Sequence, residues 1–309
     1  MRGWRFVIDE AGFAFESEVP TELEEDFAQY LDVLEYVRTT PGTVKRSDVL
    51  FDIESASGAT LVDHLCDPRI NRDIRHELHG RLDKIAEYDD DLEDWEFLVD
   101  STVLPVAPSI GICSKYAAKG VMLACLTTMR AGRRGARAVR ATSGDSSVAI
   151  HFVADSSDGP SFWRAIIDAE PDLLDDFADH QHLAFPNTVF AENIWDQISR
   201  FDGSSLEVRR ALIANLGGLD DYVLRIWAEH SEPIQRIKQM QIAASVNCSP
   251  ESPNTHKNSK AMHQRLVEFD GEQITCQWHA KLERHRNRIH FAVHDGRLFV
   301  GIFADHLLL

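Results

Sequence analysis

The residues of this sequence that could do chemistry are concentrated in its last fifth. Seven of the fourteen histidines lie between His256 and His306, with lysines and arginines among them, although the chain of 309 residues has a net charge of -18. Histidine titrates close to neutral pH and can exchange protons, and cations attract anionic groups. This local reversal of charge indicates a place for chemistry or recognition.

Three β-strands are predicted in this segment, at residues 273–279, 288–294 and 298–303. Asp295-Gly296, between the last two, is typical of a tight hairpin turn. Because successive side chains of a strand point to opposite faces, the apolar faces should meet the core and the polar faces should form one exposed surface. The residues expected on that surface are His279, Lys281, Arg288, His290 and His294, with His306 reaching its edge.

The chemistry that such a face predicts is the cleavage of RNA through its 2′-hydroxyl group. That reaction needs a base, an acid, and cations for the charge of the phosphorane. His279 and His290 would serve as base and acid, and Lys281 and Arg288 would stabilise the charge. His294 and His306 would help to bind the nucleic acid or a partner. The alternative interpretation is an ordinary solvated hairpin face whose side chains stack and hydrogen-bond across the strands.

The histidines could alternatively bind a metal ion. The pairs with suitable placement are His290 with His294, to which His279 and His285 could be added, and separately His180 with His182. The sequence has no H-E-x-x-H motif, no paired C-x-x-C motif and no zinc-deaminase signature. It also lacks glycine-rich phosphate-binding loops and the G-x-S-x-G elbow. We therefore predict neither a metal nor a cofactor.

The C-terminal residues also resemble a known family. The segments that carry the likeness are Lys281-Leu282, Arg288-Ile289-His290-Phe291, the run from Val293 to Val300, and His306. Their order is similar to the end of RelE/HigB-like toxin domains, over residues 265–309. Those domains are small antiparallel sheets, many of which cleave RNA without a metal. The resemblance thus implies the same activity, although residues 1–250 have no counterpart in that family.

A second basic feature lies in the middle of the chain, where five arginines stand among glycine and alanine. Guanidinium groups could clamp phosphates in a bidentate manner or contact an acidic partner. Alternatively, they could offset the acidic run Asp89–Glu96 within the same molecule. The five residues are Arg130, Arg133, Arg134, Arg137 and Arg140.

The elements along the chain predict a mixed α+β fold. Strand, turn and helix recur through an α/β-like central region, in which residues 147–154 form the clearest strand and His151 is a core or sheet-face histidine. A mostly helical section follows, and the chain ends in an antiparallel sheet. We predict a domain at residues 1–248, a linker at 249–260 rich in Pro, Ser and Asn, and a C-terminal module at 261–309.

Composition limits the class of protein. An apolar fraction of 44% is ample for a buried core. The five cysteines form no C-x-x-C pair, and the longest apolar run, residues 121–126, is too short to span a bilayer. We expect a cytoplasmic protein without a membrane partner. The acidic balance argues against broad coating of nucleic acid, because phosphate binding rests on cations.

Two functions are consistent with these features. The favoured prediction is a prokaryotic module of toxin–antitoxin or phage-defence type whose C-terminal sheet binds RNA or single-stranded nucleic acid and acts as a metal-independent ribonuclease. The alternative is a non-catalytic subunit that binds a protein partner in a multi-protein complex, through its acidic helical middle and the arginine stretch.

Overall fold

The computed structural model describes residues 3–89, 96–169, 173–203, 205–283 and 286–308. The chain divides into two compact units, Met1–Ala169 and Glu170–Leu309. Each unit combines helices with its own sheet, so the predicted α+β class is confirmed. The division falls at residue 170, whereas the sequence placed the boundary at 248.

Unit 1 (Met1–Ala169) is built on a mixed sheet of seven strands among its described residues. From one edge to the other the order is β2-β1-β5-β7-β6-β3-β4, and the first four strands of that order are parallel. The strands are β1 (Trp4–Ile8), β2 (Thr43–Lys45), β3 (Phe97–Val99), β4 (Thr102–Leu104), β5 (Ala124–Leu126), β6 (Gly135–Ala141) and β7 (Ser147–Val153).

The helices of unit 1 pack against this sheet or against one another and bury apolar side chains at helical spacing. In the first helix Leu23, Phe27, Tyr30 and Leu34 are all buried, and the Tyr30 hydroxyl donates to the Leu126 carbonyl at 3.1 Å. The helices of unit 1 are α1 (Pro20–Arg38), α2 (Leu61–Cys66), α3 (Arg72–Asp83), α4 (Pro108–Ala117) and α5 (Gly159–Ala169).

Unit 2 (Glu170–Leu309) contains helices, a five-stranded sheet and a separate two-stranded hairpin in its described part. Its helices are α6 (Leu173–Ala184), α7 (Ser205–Glu229), α8 (Pro233–Ala244), α9 (Pro253–Lys257) and α10 (Ser259–His263). Its strands are β8 (Thr188–Phe190), β9 (Cys248–Pro250), β10 (Leu266–Phe269), β11 (Glu272–Thr275), β12 (Trp278–Lys281), β13 (Arg288–His294) and β14 (Arg297–Ala304). The large sheet has the order β8-β14-β13-β12-β9, and β10 pairs with β11.

The predicted strands of the C-terminal segment are present, with one correction. Residues 273–279 form parts of two strands, since β11 ends at Thr275 and β12 begins at Trp278. The hairpin between β13 and β14 is confirmed, and Asp295 and Gly296 have the positive φ angles of 47° and 71° that such a turn requires.

Residues 249–260, predicted as a linker, contain regular secondary structure. This segment contributes to β9, to all of α9 and to the start of α10. The polar composition that suggested a linker serves as helix caps instead. Ser252 accepts from the Thr255 amide at 3.1 Å, Pro253 stands at the first position of α9, and Asn258 accepts from the Lys260 amide at 3.1 Å. None of the described helices is both long and apolar enough to cross a membrane.

Candidate functional site

Five side chains of unit 2 converge on the face of the large sheet at its β9–β12–β13 side. His279 on β12 stands directly opposite His290 on β13, and Ser249 on β9 stands opposite His279. Glu251 follows β9, and its amide donates to the Gln277 carbonyl at 2.9 Å. Arg265, before β10, is anchored by its carbonyl, which accepts from Cys276 N at 2.8 Å.

The carboxylate of Glu251 is the centre of this cluster. Arg265 donates from Nη2 to Oε2 at 3.1 Å, and its Nε lies 2.8 Å from Oε1. His279 Nδ1 lies 3.2 Å from Oε1, and His290 Nδ1 lies 3.4 Å from the same atom. We call these four residues, Glu251, Arg265, His279 and His290, the buried cluster.

Burial and close contacts together set the charges of this cluster. Glu251, Arg265, His279 and His290 are 6%, 0%, 7% and 0% exposed. Burial alone would raise the pKa of Glu251, but contacts with His279, His290 and Arg265 outweigh it and hold that pKa well below its usual range. Burial lowers the pKa of His290 to about 4. At neutral pH the cluster therefore holds one carboxylate–guanidinium pair and a neutral His290.

The two histidines differ in their hydrogen bonds. His279 contacts Glu251 through Nδ1, and its Nε2 lies 3.1 Å from the hydroxyl of Ser249. In His290 neither ring nitrogen makes a hydrogen bond among the described residues, since the 3.4 Å approach to Glu251 lacks the alignment of one. A buried polar group without a partner is uncommon in folded proteins.

The predicted polar face is confirmed in its register and wrong in its exposure. His279 pairs with His290, and Lys281 pairs with Arg288, so the four residues share one face as strand alternation predicted. The face is not an exposed surface at the two histidines, because the segment after β9 lies over them and supplies Glu251. Only the other end, with Lys281 and Arg288, is partly exposed.

Lys281 and Arg288 form the cationic end of this face. Within the described part of the chain, no carboxylate lies at ion-pairing distance from either side chain. The Nε atom of Arg288 is buried and has no hydrogen-bond partner there. His306 follows β14, whose Ala304 is opposite Arg288, and is exposed.

His294 does not join this end of the face. It stands six residues beyond Arg288 at the opposite end of β13, about 20 Å away at the rise of a strand. There it is exposed, with Nε2 at 3.3 Å from a Glu272 oxygen. His180 and His182 lie on α6, and His285 lies outside the described residues.

The five arginines of unit 1 are engaged with acids of the same unit. The stretch from Arg130 to Arg140 does not form the single helix that the spacing of its arginines would allow, since Arg137 and Arg140 lie on β6. These acids do not belong to the predicted acidic run Asp89–Glu96, whose residues 90–95 lie outside the described residues, so the offset of that run by the arginines stays a prediction. Each arginine has a carboxylate within 4 Å, and the side-chain nitrogen–oxygen distances are Arg130–Asp26 2.5 Å, Arg133–Asp9 2.8 Å, Arg134–Asp158 3.1 Å, Arg137–Asp100 3.8 Å and Arg140–Asp145 3.9 Å.

Unit 1 holds a second feature that sequence reasoning missed. Asp9 and Glu10 directly follow β1, and Thr127 and Thr128 follow the neighbouring parallel strand β5. β1 lies between β2 and β5, so the chain continues from β1 to one side of the sheet and later adds β5 on the other side. Ligands of open α/β sheets bind at such a point, where the strand order reverses direction. A cavity of about 990 Å³ lies beside them and is lined in part by Arg133.

The acids at this crevice are fully buried. Burial, with the nearby Asp9 carboxylate, raises the pKa of Glu10 to about 8, and Glu10 accepts from the Ser109 amide at 2.9 Å. One oxygen of each acid has no hydrogen-bond partner in the described structure. The available signal was the pair Asp9-Glu10 directly after an apolar strand, a position at which acids commonly serve a site.

Comparison with protein-family models, curated proteins and solved structures finds no match to this chain. The likeness of residues 265–309 to RelE/HigB-like toxin domains therefore stays a prediction.

Proposed function

We propose that unit 2 binds nucleic acid, with RNA as the favoured ligand, at the cationic end formed by Lys281 and Arg288. The observation that carries the proposal is that these two cations are cross-strand partners, are partly exposed, and have no carboxylate at ion-pairing distance among the described residues. Adjacent cations without counter-charges repel each other, and the phosphate groups of a nucleic acid relieve that repulsion.

The contrast with unit 1 supports this choice of surface. There each of the five arginines lies within 4 Å of an acid of the same unit, so a phosphate would have to compete with a carboxylate. A partner protein would face the same competition. The alternative function, a protein-binding subunit that uses the arginine stretch, stays a prediction.

Binding and cleavage are separate parts of the sequence-based prediction. A catalytic base or acid must come within hydrogen-bond distance of the reacting atoms. His290 is fully buried, so in this conformation it does not reach a ligand bound at Lys281 and Arg288. We therefore propose binding, and cleavage of RNA by His279 and His290 stays a prediction.

Fluorescence anisotropy with a labelled single-stranded RNA at low salt tests the proposal. Lys281→Ala and Arg288→Ala should each weaken binding and reduce the dependence of log affinity on log salt by about one. Arg297→Ala is the matched control, because Arg297 is an exposed cation at the other end of the same sheet and packs over Phe299. It should bind as the wild type does.

The outcomes are distinct. No binding by the wild-type protein at low salt, or unchanged binding by both Lys281→Ala and Arg288→Ala, overturns the proposal. A single-stranded DNA of the same sequence tests the preference for RNA, which equal affinity for both would contradict. Product analysis by gel in the presence of chelator tests cleavage separately.

A further inference from the structure

The buried cluster has the donor set of a transition-metal site, and we propose that Glu251, His279 and His290 bind a divalent ion such as Zn²⁺. One ligand atom from each of the three residues lies within 4.8 Å of the others, and all three residues are buried. It is the one group of three such donors found among the described residues. The proposal concerns the cluster alone and does not depend on nucleic-acid binding at Lys281 and Arg288.

The spacing of the donor atoms fits a tetrahedral ion. Zn²⁺ takes histidine nitrogen and carboxylate oxygen at about 2.0–2.1 Å, which places neighbouring ligand atoms of a tetrahedron about 3.3 Å apart. The Glu251 Oε1 atom lies 3.2 Å from Nδ1 of His279 and 3.4 Å from Nδ1 of His290. These two distances therefore match the edges of a tetrahedral site, and the donor atoms of all three residues lie within 4.8 Å of one another.

The surroundings already orient two of the three ligands. The hydroxyl of Ser249 holds Nε2 of His279, which leaves Nδ1 directed at Glu251. Arg265 holds the carboxylate of Glu251 at both oxygens. Partners of this kind fix ring orientation and ligand basicity in metal sites. A bound ion would share Glu251 with the guanidinium group, whose positive charge lowers the affinity of the site.

His290 is the residue that distinguishes a metal site from an ordinary polar network. It is fully buried, and neither of its ring nitrogens makes an aligned hydrogen bond in the described structure, although Nδ1 lies 3.4 Å from Oε1 of Glu251. Imidazole nitrogens are the commonest metal ligands in proteins. Metal binding would supply the partner that this side chain lacks.

The donor set also selects the kind of ion. Two nitrogen ligands and one carboxylate suit Zn²⁺, Co²⁺ or Fe²⁺, whereas Mg²⁺ and Ca²⁺ prefer oxygen ligands throughout. The sequence did not predict this set of ligands. His279 and His290 follow Glu251 by 28 and 39 residues, and such long separations form no recognisable motif.

The test uses the whole chain of 309 residues, freed of metal with a chelator and titrated with Co²⁺ and with Zn²⁺. The wild type should bind one equivalent of Co²⁺ with the visible absorption of a tetrahedral nitrogen–oxygen site, and Zn²⁺ should displace it. His290→Gln and Glu251→Gln should each lower the affinity at least tenfold, since outer-shell changes alone cost that much. Far-ultraviolet circular dichroism establishes that each variant is folded.

Two control proteins have other histidines replaced. His294→Ala removes an exposed histidine of the same strand, and His180→Ala with His182→Ala removes the pair on α6. Both proteins should bind as the wild type does. A rise of the melting temperature with Zn²⁺, present in the controls and absent in His290→Gln, gives a second readout.

Absence of stoichiometric Co²⁺ binding by the wild type overturns the proposal, as does loss of binding in the α6 variant instead of His290→Gln. If His290→Gln or Glu251→Gln fails to fold, the wild-type stoichiometry and the α6 control still decide. RNA binding is measured on chelator-treated protein, so failure of the metal site and failure of the nucleic-acid surface are distinguishable.

Discussion

His279 and His290 stand directly opposite each other with ring centroids 5.6 Å apart, yet only His279 is held by partners at both ring nitrogens. Their neighbours explain the difference. β9 borders β12 and places Ser249 beside His279, whereas β14 borders β13 and places the apolar Ile302 beside His290. The pair of strands β12 and β13 therefore carries His279, which has partners at both ring nitrogens. It also carries the buried His290, which has no hydrogen-bond partner among the described residues.

Acid should destabilise unit 2 through His290. Its pKa is lowered by burial from 6.5 to about 4 in the folded protein, so between these values the unfolded chain binds a proton that the folded one does not. Stability is fully present above pH 6.5 and is lost as the pH falls toward 4, by at most about 3 kcal/mol. Melting temperatures between pH 7.5 and 4.5 measure this loss.

His290→Gln should reduce this acid sensitivity, since glutamine does not titrate. His294→Gln, a change at an exposed histidine of the same strand, should keep the wild-type profile. An unchanged pH profile in His290→Gln would contradict the burial of a neutral histidine.

Glu10 should make unit 1 less stable at high pH. Its pKa is raised to about 8, chiefly by burial, so above pH 4.5 the unfolded chain releases a proton that the folded chain keeps. The contribution is fully present below pH 4.5 and is lost as the pH rises through 8, by at most about 5 kcal/mol. Glu10→Gln should raise the melting temperature at pH 8 relative to wild type.

The matched control is Glu25→Gln, at an exposed position of α1. It should leave the pH dependence of melting as it is in the wild type. Equal behaviour of the two variants between pH 6 and 9 would show that Glu10 does not hold a proton in the folded protein.

Arg133→Ala should destabilise unit 1 by about 3–5 kcal/mol, because it leaves the fully buried Asp9 without a counter-charge. Arg137→Ala removes a surface pair with Asp100 at 3.8 Å and should change stability by less than about 1 kcal/mol. Urea denaturation curves compare the two. Similar midpoints would mean that the buried pair of Arg133 and Asp9 contributes no more than the surface pair.

Glu251→Gln should destabilise unit 2 by about 3–5 kcal/mol, since Arg265 then becomes a buried cation without an anionic partner. Glu283→Gln breaks the surface pair with Arg286, at 2.7 Å, and should have a small effect. Chemical denaturation at pH 7 without added metal measures both. A loss in Glu251→Gln no greater than in Glu283→Gln would argue against the buried ion pair.

Much of the C-terminal sheet was predictable from local patterns. The alternation of side chains placed Lys281 and Arg288 on one face with the two histidines, and Asp295-Gly296 marked the hairpin. These features were accessible because strand period and turn chemistry involve residues close in sequence. The break between β11 and β12 was not predicted, since it depends on pairing with β10 and β9.

By itself the sequence determined the α+β class, the register of Lys281, Arg288, His279 and His290, and the reversal of charge at the C-terminal end. Only the tertiary structure decided which of these groups meet solvent. Glu251 and Arg265 lie outside β12 and β13. Residues 249–260, predicted as a linker, place Glu251 on the face formed by these two strands. Burial then turned a predicted exposed cluster into a closed one, because desolvation and pairing depend on contacts between residues distant in sequence.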